Sequence, residues 1–351
     1  KRGGDGRLRP RYVLRRLSFM VLQLLLLAVL VFFTIRLMPA DPAARLVGMN
    51  ASPEAYAQAR ASLGLDRPLL EQFTDFLGLT RGQPGGGLLQ GSLGISWESS
   101  EPVMAELARA LPVTLEIVST ALLLSLLLAL PLGAYAASRP GGFLDRGAYF
   151  WGMFAGSQPD YWWGLLFLLV FAFTLGIAPA PLGRFDPLLL PPASVTGFIV
   201  IDSALAGRWD VLASALTYLA LPVATMVFTV SGAIVKMIRQ NTLRALGSDY
   251  ILFARACGLP EGQVARYALR SAMAPTLTLV AVFFSILLSS AVTVEQVFSL
   301  NGIGQYAVRA ILNVDYPAIQ GVVMAVALVS LLVYLVVDLA HAAIDPRVRG
   351  R

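Results

Sequence analysis

The sequence predicts an all-α polytopic membrane protein with about six transmembrane helices and a small external domain after the first helix. The chain is 57% hydrophobic and only 14% charged, whereas a soluble domain usually carries about 25% charged residues. Its mean hydropathy is +0.70. Apolar stretches of about 20 residues, the length a helix needs to cross a bilayer core of about 30 Å, recur along the chain.

The first predicted span covers residues 12–38, and its middle is almost unbroken apolar sequence. A cleaved signal peptide would be shorter and would end in a small-residue cleavage site. We therefore expect an uncleaved signal anchor. The basic residues that precede or open this span are Lys1, Arg2, Arg7, Arg9, Arg11, Arg15 and Arg16.

Residues 39–108 are more polar, and we expect them to form the external, periplasmic segment from short amphipathic helices. Ser52-Pro53-Glu54 is typical of a helix start, because proline is well suited to the first helical position. The glycine-rich stretch 82–94 predicts a loop.

Five further spans complete the prediction, at residues 111–138, 148–177, 211–238, 274–294 and 319–344. The proline-rich stretch 178–210 cannot be regular helix throughout, so it is predicted to be a second external loop. We expect Tyr161, Trp162 and Trp163 to anchor the third span at a headgroup layer rather than to stack on a substrate. The predicted domains are 1–38, 39–108 and a five-helix core at 109–351.

The distribution of basic residues predicts the orientation in the membrane. Six spans place both termini on one side, and the termini and loops of that side carry 18 of the 27 Lys and Arg residues. Short loops rich in Lys and Arg remain in the cytoplasm. The termini and the loop 239–275 are therefore predicted to be cytoplasmic in a bacterial inner membrane, and the net charge of +6 does not indicate nucleic-acid binding.

Few residues in this chain could carry out catalysis or bind a metal. It has one cysteine, Cys257, and one histidine, His341. They permit no intramolecular disulfide and do not suffice for a Cys/His metal cage. Because His341 also lacks a Glu-x-x-His pattern, we predict neither an enzyme nor a metal site.

The sequence favours another chain as the source of energy for transport. A P-loop requires Gly-Lys-Ser/Thr, and neither Lys1 nor Lys236 has that context. An ion-coupled carrier would be expected to place carboxylates mid-membrane. We interpret Glu116 as the one acidic residue inside a span, near its outer end, with Asp338 and His341 near the inner end of the last span. The pattern favours a separate ATPase and leaves ion coupling as an alternative.

The predicted cytoplasmic loop 239–275 contains a candidate short helix. Ser248 or Asp249 can cap it, and Gly258 followed by Pro260 can end it. An isolated helix of this length is marginal in water. It must therefore rest on the membrane surface or in a partner protein.

Several motifs in chain order resemble one family of transporters. Residues 249–259 read DYILFARACGL and residues 268–275 read ALRSAMAP; other matching segments are 39–42 (PADP), 63–69 (LGLDRPL), 91–94 (GSLG), 294–298 (VEQVF), 302–304 (GIG), 310–317 (AILNVDYP) and 345–347 (DPR). Together they are similar to the permeases of ATP-driven ABC importers. The resemblance is strongest to the first of the two paired permeases in the dipeptide/oligopeptide/nickel branch.

The resemblance implies a multi-subunit importer. A second permease would complete the path, two ATP-binding subunits would bind ATP and Mg, and an extracytoplasmic substrate-binding protein would deliver the substrate. Transport of peptides is the first expectation, and nickel chelates or other small solutes are alternatives. This chain itself would need no cofactor.

The resemblance also implies roles for particular residues. The ATPase-coupling helix would include Asp249, Tyr250, Ala254, Arg255, Ala256, Gly258 and Leu259. A possible outer gate or binding-protein contact would include Glu295, Gln296, Phe298, Gly302 and Gly304. Glu295 reads equally well as an ordinary interfacial acid, and the 302–304 segment reads equally well as a simple turn.

Four positions depart from the family pattern. Leu252 and Phe253 stand where a polar residue and Thr are common, and Cys257 replaces a common Lys. Asn301 stands where Pro usually precedes the glycine.

Overall fold

The computed structural model describes residues 10–48, 50–80 and 86–344. Three parts of the predictions lie outside these residues: the basic residues Lys1, Arg2, Arg7 and Arg9, part of the glycine-rich loop, and the terminal residues Asp345, Pro346, Arg347, Arg349 and Arg351. The described part is helical and contains no β-strand, only an isolated bridge between Ile95 and Pro102.

Thirteen α-helices are numbered here in chain order over the described residues. They are α1 Pro10–Leu37, α2 Pro42–Val47, α3 Pro53–Ser62, α4 Leu69–Leu77, α5 Val103–Ser138, α6 Phe143–Ala155, α7 Asp160–Phe167, α8 Ile199–Leu205, α9 Trp209–Leu246, α10 Asp249–Ala256, α11 Glu261–Phe298, α12 Ile303–Leu312 and α13 Tyr316–Ile344. A 3₁₀ turn covers Leu88–Gln90, and α7 continues into a π-helical segment, Leu168–Thr174.

Five of the six predicted spans are confirmed as helices long and apolar enough to cross a membrane. The segments that meet this description are Val13–Leu37, Val103–Ser138, Trp209–Leu246, Pro275–Phe298 and Tyr316–His341. The predicted all-α polytopic class is therefore confirmed.

The prediction of one continuous third span over 148–177 is wrong. The helix α6 ends at Ala155, α7 begins at Asp160, and only Asp160–Thr174 forms a shorter apolar helical stretch. Pro159 explains the interruption, because proline has no N–H and disfavours helical geometry at the residue before it. Asp160 is thus also an acidic residue inside a predicted span. The interpretation of Glu116 as the one acidic residue inside a span is therefore wrong.

The segment 239–275 between the fourth and fifth predicted spans is largely helical, while the apolar span of α11 begins at Pro275, close to the predicted residue 274. The helix α9 continues to Leu246 and α11 already begins at Glu261, so only short connections flank α10. Polar sequence lowers the hydropathy of a helix that leaves the membrane without breaking it. Hydropathy therefore located the end of the apolar layer rather than the end of the helix.

The chain divides into two compact units. The first unit comprises residues 1–16, 114–300 and 332–351, and the second comprises 17–113 and 301–331. The predicted external segment 39–108 lies in the second unit, and whether it is external stays a prediction.

The second unit has its own apolar core. Val31 and Ile35 of α1, Leu107 of α5, Tyr306 of α12 and Ile319 of α13 are buried together. The ring of Phe32 packs against Phe73 and Phe76. This core ties the short helices after α1 to the segment around α12.

Polar caps fix the ends of helices in the second unit. Ser52 accepts a hydrogen bond from the amide of Ala55, which confirms the predicted start of α3. The buried carboxylate of Asp315 accepts from the hydroxyl of Ser96 at 2.6 Å and from the amide of Ala318 at 3.1 Å. Asp315 therefore caps α13 and holds the chain around Ser96 at the same time.

Glycines permit a close crossing of α6 and α9 in the first unit. A Cβ atom added to Gly232 would lie 2.5 Å from the Cα atom of Gly152. Two backbones approach this closely only where side chains are absent, as is common between helices in membranes.

Glu116 has a structural role in the first unit. It is 3% exposed, pairs with Arg184 at 3.2 Å, and accepts hydrogen bonds from the amides of Ile199 and Val200. A carboxylate at a helix N-terminus satisfies amides that have no partner within the helix. Glu116 therefore holds the start of α8 and the proline-rich stretch against α5.

Replacing Gly232 with Ala should destabilise the fold, because the new methyl group meets backbone that cannot move away cheaply. We expect the free energy of unfolding to fall by about 1–3 kcal/mol, measured by thermal unfolding in detergent. Gly147→Ala in α6 is the matched control, since nothing lies within 4 Å of its added Cβ. Equal stability of the two variants would contradict the tight crossing.

Asn301 adopts a backbone conformation that proline cannot reach. Its φ is +59°, and its amide donates to the side-chain oxygen of Gln305 at 2.8 Å. Proline fixes φ near −65° and has no N–H, whereas Asn tolerates left-handed geometry. The local backbone therefore explains why this position holds Asn rather than the Pro of the family pattern.

Asn301→Pro should lower the melting temperature in detergent, because it imposes the wrong φ and removes the hydrogen bond to Gln305. The expected cost is about 1–3 kcal/mol. Asn301→Gly keeps both features and should melt close to the wild type. A proline variant as stable as the glycine variant would show that the turn does not require a positive φ.

Candidate functional site

The short helix α10 stands between the two longest helices of the first unit. Ser248 occupies its N-cap position in extended conformation, but its side chain makes no capping bond; its hydroxyl donates to the carbonyl of Ala245 instead. Gly258 has φ +78°, the left-handed geometry that ends helices. The predicted end of the helix at Gly258 is confirmed, while neither Ser248 nor Asp249 caps its start through a side-chain hydrogen bond.

Ile251 attaches α10 to its own chain. Its side chain is fully buried against Val264 and Ala268 of α11, and Leu246 and Leu259 pack beside them. Burying a side chain of this size contributes about 1.5–3 kcal/mol. The helix α10 is thus packed onto α11 rather than standing isolated.

The opposite side of α10 presents apolar side chains to the outside of this chain. Tyr250 is 48% exposed, Leu252 55% and Phe253 70%. Ala256 and Gly258 are also exposed, and Ala254 is partly so. Large apolar side chains that are exposed outside the predicted spans are typical of a contact site. We call the exposed set Tyr250, Leu252, Phe253 and Ala256 the α10 face.

Arg255 is already paired within the chain. Its guanidinium donates two hydrogen bonds to the carboxylate of Glu261, at 2.9 and 3.1 Å. The pair bridges the turn between α10 and α11 and is exposed to solvent. Sequence reasoning missed Glu261, since the turn brings together two residues that share no helical spacing.

A second ion pair lies where α6 meets the end of α9. Arg239 donates to Asp145 at 2.8 Å, and the amide of Gly141 donates to the same carboxylate. The hydrogen bond from Arg239 holds the pKa of Asp145 below its usual range. The pair therefore stays charged at neutral pH and fixes the start of α6 to α9.

The two titratable groups near the end of α13 have separate partners. Asp338 forms an ion pair with Arg16 at 3.2 Å, while His341 lies 2.8 Å from the hydroxyl of Thr278. These contacts give each group a local role at a helix end.

The predicted outer residues fall into both units. In the first unit Glu295 is fully buried and accepts a hydrogen bond from Thr114. Phe298 is buried, whereas Gln296 is exposed. In the second unit Gly302 precedes α12 at its N-cap, and Gly304 is buried within that helix. Their roles as gate or contact stay predictions.

The aromatic group in α7 is only partly what the sequence predicted. Trp163 is 3% exposed, its indole donates to the carbonyl of Ala155, and its ring packs on Phe228. Trp163 is therefore part of the helix packing rather than a headgroup anchor. Tyr161 and Trp162 remain partly exposed.

The described residues contain no group of three His, Cys, Asp or Glu side chains that could hold a metal ion. The single cysteine, Cys257, is exposed at the end of α10. The residues around α10 therefore offer a contact surface, the α10 face, and a paired charge, Arg255 with Glu261.

Comparison with known proteins covers nearly the whole chain. Residues 129–350 match the family of binding-protein-dependent transport system inner membrane components, and residues 10–118 match the N-terminal region of such components. The chain is 38% identical to a probable D,D-dipeptide transport system permease of Escherichia coli K12, over 91% of this chain and 92% of the relative.

Two further relatives cover still more of the sequence. The dipeptide transport system permease of E. coli K12 is 32% identical over 97% of this chain and 99% of its own. The di/tripeptide transport system permease of Pseudomonas aeruginosa UCBPP-PA14 is 35% identical over 96% of this chain and 98% of the relative. Together these matches and the apolar helices show that the chain belongs to the binding-protein-dependent transport system inner membrane components, as a permease subunit of an ABC importer.

Proposed function

We propose that this permease carries dipeptides or short oligopeptides across the bacterial inner membrane. The relatives with peptide-permease names cover more than nine tenths of the chain, and this coverage is the observation that carries the proposal. A second permease would complete the path, and an extracytoplasmic binding protein would deliver the peptide.

We further propose that ATP and Mg are bound by two separate ATPase subunits. The α10 face is the surface offered to one of them, with Asp249, Tyr250, Ala254, Arg255, Ala256, Gly258 and Leu259 in or beside the contact. Because Ile251 fastens α10 to α11, a displacement of α10 would move α9 and α11 with it. In this proposal both termini and α10 would lie in the cytoplasm.

The outer residues receive distinct roles in this proposal. Glu295 is covered by its own chain and bound by Thr114, which favours a part in the gate over direct contact with a binding protein. Gln296 is exposed one residue later and is the better candidate for such a contact. Ion coupling is not retained, because the chain belongs to the binding-protein-dependent transport components and its relatives are peptide transport permeases.

Assembly and transport test the proposal directly. The chain, expressed with its second permease and purified through a tag, should bring down two P-loop ATPases. Proteoliposomes of the complex should accumulate a dipeptide only with ATP and the binding protein. Uptake by this chain alone, driven by a proton or sodium gradient, would overturn the proposal.

Gly258→Asp should uncouple transport without unfolding the permease. The substitution places a charged side chain beside the α10 face, and the site has no atom within 4 Å of an added Cβ. We expect normal insertion and assembly but at least a tenfold loss of transport-stimulated ATP hydrolysis.

The matched control is Gly207→Asp. Gly207 also has a positive φ and open surroundings, but it lies between α8 and α9, at the end of α9 opposite to α10. It carries the same backbone strain and the same charge. Equal ATPase activity in the two variants would show that the α10 face is not the coupling surface.

A further inference from the structure

The interruption between α6 and α7 lies at membrane depth. The rings of Trp163 and Phe167 pack on Phe228 at centroid distances of 4.7 and 5.5 Å. Phe228 stands at the centre of α9, which runs from Trp209 to Leu246. Just before the interruption, Gly152 of α6 lies against Gly232 of α9. Residues 156–159 therefore lie level with about residues 228–232 of α9, within the predicted span 211–238.

A contact with α11 gives the same depth. The hydroxyl of Ser290 donates to the carboxylate of Asp160. Ser290 lies eight residues before the end of the span Pro275–Phe298, or about 12 Å at 1.5 Å per residue. Asp160 is thus inside the apolar layer rather than at its edge.

The non-helical residues of the interruption are not covered by their own chain. Gly156, Ser157, Gln158 and Pro159 are all exposed. Irregular backbone at membrane depth is stable only where protein or water covers it, because lipid offers no hydrogen bonds. The amides of Gly156 and Ser157 donate to the carbonyls of Gly152 and Phe154. The exposed polar side chain of Gln158 still requires a partner subunit or water at this depth.

Asp160 adds an ionisable group to this surface. Its carboxylate accepts from Ser290, and no basic side chain pairs with it within the part of the chain that the structure describes. A carboxylate at the first turn of a helix is favoured by the helix dipole, which explains its tolerance there. Ionisable residues in membrane segments commonly mark the pathway of a substrate.

We propose that residues 156–160 line a water-filled translocation path and that the Asp160 carboxylate binds the ammonium group of a passing peptide. The ligand part of this inference rests on the proposed peptide transport. Ser290 is a positioning residue that holds the carboxylate toward the path. In the competing arrangement, a partner subunit packs against residues 156–159 and excludes water from them.

Cysteine labelling in the assembled complex tests the path. In a Cys257→Ser background, Gln158→Cys should react with a water-soluble trimethylammonium thiosulfonate at least ten times faster than Leu127→Cys. Leu127 is 59% exposed on the apolar span α5 and serves as the lipid-facing control. Equal, slow labelling of both cysteines would overturn the path and support the dry interface.

The charge of Asp160 is tested by a ratio of labelling rates. The trimethylammonium reagent should label Gln158→Cys faster than the matching sulfonate reagent does. Asp160→Asn should lower the ratio of these two labelling rates about tenfold. Asn keeps the shape and can still accept from Ser290, so the fold is preserved. Asp160→Glu should keep the ratio. An unchanged ratio in Asp160→Asn would overturn the electrostatic role.

The ligand is tested by protection in the detergent-solubilised complex, where peptide reaches the path without a binding protein. Glycylglycine should slow the labelling of Gln158→Cys, whereas N-acetyl-glycylglycine and the Asp160→Asn variant should show no such protection. Protection by both peptides alike would overturn ammonium binding. Absence of ATP-driven peptide uptake by the wild-type complex would instead overturn the proposed function and the peptide ligand, while the labelling ratio would still decide the path.

Discussion

The need to satisfy every backbone polar group inside an apolar solvent governs this structure. It accounts for the long helices α5, α9, α11 and α13, which close their hydrogen bonds internally. It also restricts where helices can be interrupted. Pro222 and Pro275 lie within continuous helices, so only the carbonyls that each proline leaves without a donor need other partners. At Pro159 the chain instead breaks, and the indole of Trp163 satisfies the carbonyl of Ala155.

Hydropathy and local end signals predicted much of the fold. Five spans, the start of α3 at Ser52 and the end of α10 at Gly258 follow from rules that act over a few neighbouring residues. The third span was mispredicted because a window average hides one proline and one aspartate among many apolar residues. The helical extensions 239–246 and 261–274 were not predicted, because hydropathy reports the surrounding solvent and does not distinguish a polar helix from a loop.

The candidate site was predictable in sequence position but not in orientation. The motif around Asp249 and Gly258 located α10, yet nothing in it separates the buried Ile251 from the exposed Phe253. That distinction depends on Val264 and Ala268, which reach α10 only after the chain turns at Pro260. The pairs Arg184–Glu116 and Ser290–Asp160 join residues far apart in sequence, and a single sequence carries no signal for such pairings.

The length of α9 has a mechanical consequence for the whole transporter. Its 38 residues extend about 57 Å, nearly twice the bilayer core of about 30 Å. Ile251 holds α10 beside the end of α9, so a displacement of α10 would tilt the part of α9 that projects from the membrane. A tilt of about 5° over the roughly 12 Å of α9 beyond residue 238 shifts its tip by about 1 Å, within the range of helix shifts that switch other proteins between states. A small displacement of one end of α9 can therefore move its other end while the helix stays folded.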